Sequence, residues 1–95
     1  STYRNQGWWK EAEELEVQVM ETRKRVLGEE HPSTLISMNN LAFTFMALGK
    51  VKEAFILMQD CYRLLDQVLG SLHPHTVLSK ATLAAWQLEA RESSE

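Results

Sequence analysis

The chain carries a copy of itself at a spacing of 42 residues. Laying 7–48 over 49–90 without a gap gives identity at 14 of the 42 positions. The matches cluster. Gly7, Lys10, Glu11, Ala12 and Leu15 return as Gly49, Lys52, Glu53, Ala54 and Leu57. Val26-Leu27-Gly28 returns as Val68-Leu69-Gly70, His31-Pro32 as His73-Pro74, and Leu41-Ala42 as Leu83-Ala84. A repeat of this length is one supersecondary unit that buries its apolar face only against a neighbouring unit, so copies stack into an open array. Such an array offers broad surface rather than an enclosed catalytic pocket, and a binding scaffold is the expectation.

The apolar spacing inside each copy is helical. Trp9, Ala12, Leu15, Val19 and Val26 recur at steps of three and four, with glutamates early and Arg23, Lys24 and Arg25 late, as the helix dipole favours. Gly28 supplies the stop. The spacing predicts further helices closed by Gly49 and Gly70, with His31-Pro32 and His73-Pro74 at helix starts. The expected fold is all-α, four main helices near 8–27, 33–48, 50–69 and 74–90, with Leu41, Ala42, Ala54, Leu57, Cys61, Leu65, Leu83 and Ala84 buried. The chain is one domain, 1–95, divided into repeat periods 7–48 and 49–90. Thr2-Tyr3 aligns with Thr44-Phe45, so 1–6 is expected to be the end of a truncated first helix, either of a longer natural protein or as a short remnant. Residues 91–95 form a polar tail.

A formal charge of −3 argues against nucleic-acid binding, which normally needs a basic patch. No apolar run is long enough to span a bilayer. The single cysteine, Cys61, excludes an internal disulfide and fits a reducing compartment, so the cytoplasm is the expected location.

Leu41-Ala42, Phe45, Gly49, Ala54 and Cys61 follow an alternation of small and large residues that resembles the tetratricopeptide repeat. The long period, with Asn39-Asn40-Leu41-Ala42, Lys52-Glu53-Ala54 and Leu27-Gly28-Glu29-Glu30-His31-Pro32, is similar to the 42-residue subclass of kinesin light chains. Tyr3-Arg4-Asn5-Gln6-Gly7 through Lys10-Glu11-Ala12-Glu13-Glu14 looks closest to the C-terminal arrays of fungal signal-transduction ATPases of the NACHT and NB-ARC type. The resemblance implies a concave surface lined by the first helix of each repeat and gripping a peptide or protein partner. Its register puts Ile36, Asn39, Asn40, Phe43 and Met46 on or near that face. The Asn40 amide has a donor and an acceptor to offer a peptide backbone. Two readings of it stand: peptide grip, or a local helix-end or interhelical hydrogen bond. Thr82 occupies the matching position in the fourth helix, so the groove is expected to fade there.

Other constellations point away from chemistry. His73 and His75 lie two apart, but no Cys, Asp or Glu completes a zinc spacing, and the His-Pro pair recurs at the same junction. Turn chemistry is the preferred reading. Glu11, Glu13, Glu14 and Glu16 read as a solvated helix face, and Cys61 as a packing residue. No phosphate loop or nucleophile elbow occurs, so no enzyme, cofactor or metal is expected.

Two surface features remain. Trp8 matches Lys50 and should be exposed, either as extra packing or as a contact surface, whereas Trp9 matches Val51 and should be core. Trp9, Ala12, Leu15 and Val19 lack the partner that a complete repeat provides, and a homo-oligomer through this N-terminal edge is expected. The alternative to a peptide-binding scaffold is therefore a structural end or capping segment of a longer array, which mainly self-associates when isolated.

Overall fold

The computed structural model describes residues 2–93, with side chains described over 7–92. Four helices follow one another: α1 (Thr2–Leu27), α2 (Pro32–Ala47), α3 (Val51–Leu69) and α4 (Pro74–Ser93). The packed pairs are α1 with α2, α2 with α3, and α3 with α4. Each helix meets its neighbour in sequence, as nearest-neighbour stacking requires.

The turns explain why the helices stop where they do. At the end of α2, Gly49 adopts a φ of 80°, where a side chain would be strained. Its N–H donates to Met46 O at 3.0 Å, and Lys50 N–H donates to Phe45 O at 2.9 Å. That pair of bonds satisfies carbonyls the helix end would otherwise orphan. At the start of α2, His31 Nδ1 accepts the Ser33 N–H at 3.1 Å; at the start of α4, His73 Nδ1 accepts the His75 N–H at 3.1 Å. The repeated His-Pro pair is therefore a helix start: histidine caps, and proline fills a first-turn position that has no N–H to satisfy.

The core is apolar and lies among α2, α3 and α4. One cluster joins Ala42, Ala54, Met58, Leu83 and Trp86; a second joins Leu35, Met38, Cys61 and Leu65. Leu57 packs against both but stays half-buried, and the fully buried place expected for it belongs to Met58. Ala84 is exposed, against expectation. Its repeat mate Ala42 is buried in the cluster that holds Ala54 and Met58 of α3, whereas no described helix follows α4 to cover Ala84.

α1 departs further from expectation. It runs without a break through Gly7, which keeps a negative φ, so 2–6 are part of α1 and not the end of a separate helix. A turn at Gly7 would leave those residues outside any hydrogen-bonded ladder, while continuation costs only the modest penalty of a helical glycine. α4 likewise continues to Ser93 through most of the expected polar tail; Ser94, Glu95 and Ser1 lie outside the described residues.

The face α1 turns to α2 is polar. Glu13 Oε2 accepts from Lys50 Nζ at 2.7 Å, and Glu16 accepts the Thr44 hydroxyl. Arg23 donates to Ser33 O at 2.9 Å and to Ser37 Oγ at 2.7 Å. Glu13 and Glu16 are thus seam residues; only Glu11 and Glu14 fit the expected solvated face. In α3 the same places hold Phe55, Met58 and Leu65. Met20 is the apolar contribution of α1 to the second cluster.

Candidate functional site

Where α2 and α4 approach each other, they leave a cleft of about 230 Å³. Ile36, Asn39 and Asn40 line it from α2, with His75, Leu78 and Ser79 from α4 and Leu35 and Leu65 behind. The spacing of the α2 residues follows from the helix: positions three and four apart share a face, so Ile36, Asn39 and Asn40 point together while Leu35 and Met38 turn into the core.

The two asparagines do different jobs. Asn39 is half-buried, and its Oδ1 accepts the hydroxyl of Ser79 at 3.3 Å, tying α2 to α4. Asn40 is exposed, and its amide makes no hydrogen bond to any described residue. Its backbone carbonyl accepts from Thr44 Oγ1 at 3.2 Å, an ordinary intrahelical contact. The interhelical bond considered for Asn40 is therefore made by its neighbour. Asn40 also borders a second, shallower hollow of about 110 Å³, with Glu16, Val19, Arg23 and Ser37.

The cleft has aliphatic walls from Leu35, Ile36, Leu65 and Leu78, and its polar groups are the amides of Asn39 and Asn40, the Ser79 hydroxyl and the His75 imidazole. Cys61, behind it, is fully buried, and its Sγ donates to Leu35 O at 3.3 Å. Burial pushes its thiol up to about 11, against a smaller lowering from its hydrogen bond with Ser79. At neutral pH it stays protonated and inert. Among the described residues no cluster of three or more His, Cys, Asp or Glu could hold a metal. No helix of the described residues is long and apolar enough to cross a membrane.

This geometry, helix pairs in series with small residues at their crossings, meets a direct match in known sequences: the family profile "Tetratricopeptide repeat" fits residues 1–67. The chain belongs to the tetratricopeptide repeat family. It is also 32% identical over 75 residues to "Tetratricopeptide repeat protein 19, mitochondrial" from Homo sapiens, which covers 79% of this chain. The chain spans about one fifth of that relative's length, 19%. Tetratricopeptide repeats generally mediate protein–protein interaction.

Of the five residues that the tetratricopeptide register puts on the binding face, three meet in the cleft. Phe43 and Met46 lie farther along α2. Phe43 sets its ring edge-to-face against Trp86 at 5.5 Å between centroids, and Met46 packs on the cluster that contains Trp86. Phe43 serves the α2–α4 contact and remains 40% exposed. On the N-terminal edge, Leu15 is 57% and Val19 43% exposed, whereas Ala12 and Trp9 are half-buried, Trp9 with its ring edge-to-face against exposed Trp8 at 4.5 Å. Trp9 is thus only partly the core residue that its match to Val51 suggested, and Val51 itself is 46% exposed.

Sequence reasoning missed His75, Leu78 and Ser79, expecting the groove to fade at Thr82. The Thr82 hydroxyl donates to Leu78 O at 2.9 Å. The contribution of α4 comes one turn earlier. A signal for it was present: Ser37 and Ser79 are identical across the repeat, as are Thr34 and Thr76, and all four are buried. Thr34 Oγ1 donates to Gly28 O at 2.8 Å, whereas its mate Thr76 Oγ1 is buried with no hydrogen-bond partner among the described residues.

Proposed function

We propose that this chain is a non-catalytic scaffold whose α2–α4 cleft takes an extended segment of a peptide or protein partner. The observation that carries the reading is Asn40, an exposed amide with free donor and acceptor at the rim of an otherwise aliphatic cleft. Such an amide matches one peptide unit of an extended strand, and Ile36 and Leu78 offer apolar walls to the adjoining side chain. Repeat periods 7–48 and 49–90 are the units that build the surface. The 42-residue period supports placing the chain in the kinesin-light-chain-like subclass, and the wording of 3–14 supports a relation to fungal arrays attached to ATPases. The buried free thiol supports a reducing, cytoplasmic setting; the mitochondrial designation belongs to the human relative.

A displayed random-peptide library panned on the wild-type chain tests the proposal. Enriched peptides that lose binding to Asn40→Ala, with the helical signal unchanged, are the expected result. Recovery of no peptide, or capture indifferent to Asn40, would overturn it. A second reading is favoured by the exposed Leu15 and Val19 on α1: the chain is a structural end of a longer array and self-associates through this edge when isolated.

A further inference from the structure

Asp, Glu, Lys and Arg make up 24% of the chain, yet none of them falls in α2. Its inner face is apolar because it packs in the core. Its outer face meets water, where a helix normally carries charge. Here that face carries Ile36, Asn40 and Phe43, spaced four and three apart and so on one side of the helix, and all three are exposed. Across the cleft α4 adds exposed Leu78 and the buried Ser79 hydroxyl, whose proton goes to Asn39 Oδ1. The single titratable side chain among the described lining residues is the His75 imidazole; Lys80, next to Ser79 in α4, does not line the cleft. Two charges, Glu16 and Arg23, border the shallower hollow beside Asn40, and both are engaged. Glu16 accepts the Thr44 hydroxyl, and Arg23 donates to Ser33 O and Ser37 Oγ.

The Phe43 ring is held edge-to-face by Trp86, which is itself buried in the cluster with Met58 and Leu83. Its position is fixed before anything binds, so a contact with it costs little ordering. Ile36 and Phe43 are separated by about 10 Å along the helix axis. In an extended chain, rising about 3.1–3.4 Å per residue, the same distance is covered in three residues. A flat strand turns residues i and i+3 to opposite sides, whereas the three-residue turn of polyproline II brings them to the same side. That conformation also makes no internal hydrogen bonds, so the peptide unit between the two side chains is open to the Asn40 amide. We infer that the cleft selects an uncharged segment in the polyproline II conformation, with one apolar side chain between Ile36 and Leu78 and a second, three residues on, against the ring of Phe43; this rests on the cleft reading above and names the class of segment. A carboxylate or ammonium brought to either place would leave water and meet no opposite charge, which is the basis of the selection.

Sequencing the peptides that the panned library enriches, then titrating one of them and its variants as synthetic peptides, tests this. The enriched set should be poor in Asp, Glu, Lys and Arg across the bound segment and should carry apolar residues three apart. Asp at either apolar position should weaken binding by about tenfold or more. Phe43→Ser should weaken the parent peptide by roughly threefold to tenfold. Circular dichroism checks that this variant keeps its helical signal; Ile36→Ser, at an exposed position outside the core, makes the same test at the first anchor if it does not. Ile36→Lys should reverse the preference, so that the peptide with Asp at the first apolar position binds more tightly than its parent. Charged residues enriched at the two positions, or Asp variants that bind as well as the parent, would overturn the inference; loss of that binding in Asn40→Ala would leave the cleft reading standing. Binding lost in Asn40→Ala but untouched by both Phe43→Ser and Ile36→Ser would have the same meaning. Recovery of no peptide would overturn the reading and the inference together.

Discussion

Met58 and Leu57 are adjacent on α3, and truncating each in turn asks which one the core depends on. Met58 is fully buried in the cluster with Ala42, Ala54, Leu83 and Trp86, so Met58→Ala removes contacts on every side and leaves a cavity that this helix-locked site can only partly close. The expected cost is about 2–5 kcal/mol. Leu57 touches both clusters but is half-buried, so solvent already reaches part of the volume that Leu57→Ala would vacate. Only part of its transfer free energy is at stake, and a cost of about 1–2 kcal/mol follows. In a domain of this size, 1 kcal/mol moves the melting temperature by roughly 4–8 °C, so the two variants should be separated by several degrees. Urea unfolding followed by far-ultraviolet circular dichroism measures the difference, with m-values compared to check that the denatured state is unchanged. Protein concentration must be held fixed, because association stabilises the folded state. A greater loss for Leu57→Ala, or a loss below about 1 kcal/mol for Met58→Ala, would show that the face assigned to α3 is wrong.

His31→Ala removes the side-chain acceptor for Ser33 N–H and should cost about 0.5–2 kcal/mol in urea unfolding, as loss of an N-cap does. Arg23→Ala leaves Ser33 O and Ser37 Oγ without their charged donor; a loss of about 1.5–3 kcal/mol is expected, read by the same unfolding transition, and a neutral result would mean the α1–α2 seam does not contribute to folding. The raised thiol of Cys61 makes stability depend on alkaline pH. Below the ordinary value of 9.0, folded and unfolded thiols are both protonated; as pH rises from there to about 11, the unfolded thiol ionises first and stability falls. The decline, about 2–3 kcal/mol across that window, should be absent from Cys61→Ala measured alongside.

The architecture was legible because the repeat, the helical spacing and the stops at Gly28, Gly49 and Gly70 all express backbone requirements that each copy meets on its own. The helix starts at His31 and His73 were legible for the same reason. What escaped was anything decided by contacts between helices. Ala84 carries the same letter as Ala42 and has the opposite exposure, since burial depends on whether another helix covers it. Gly7 matches Gly49 yet stays helical, because a glycine permits a turn without imposing one. Glu13 and Glu16 read as solvent-facing from composition, but Lys50 and Thr44 on the far side of the seam turn them into partners. In the cleft, Ile36 and the asparagines were found through the register of α2. His75, Leu78 and Ser79 depend on how α4 crosses it, and that crossing angle leaves no mark in a single sequence.

The most direct measurement of the central claim is a backbone amide NMR titration of the wild-type chain, carried out on the peptide that the library enriches most strongly. The account predicts the largest shifts at Ile36, Asn39 and Asn40 of α2 and at His75, Leu78 and Ser79 of α4, with α1 and the outer face of α3 nearly still. Shifts concentrated on Leu15, Val19 or Val26 of α1, or on Ile56 of α3, would put the binding surface elsewhere and contradict it.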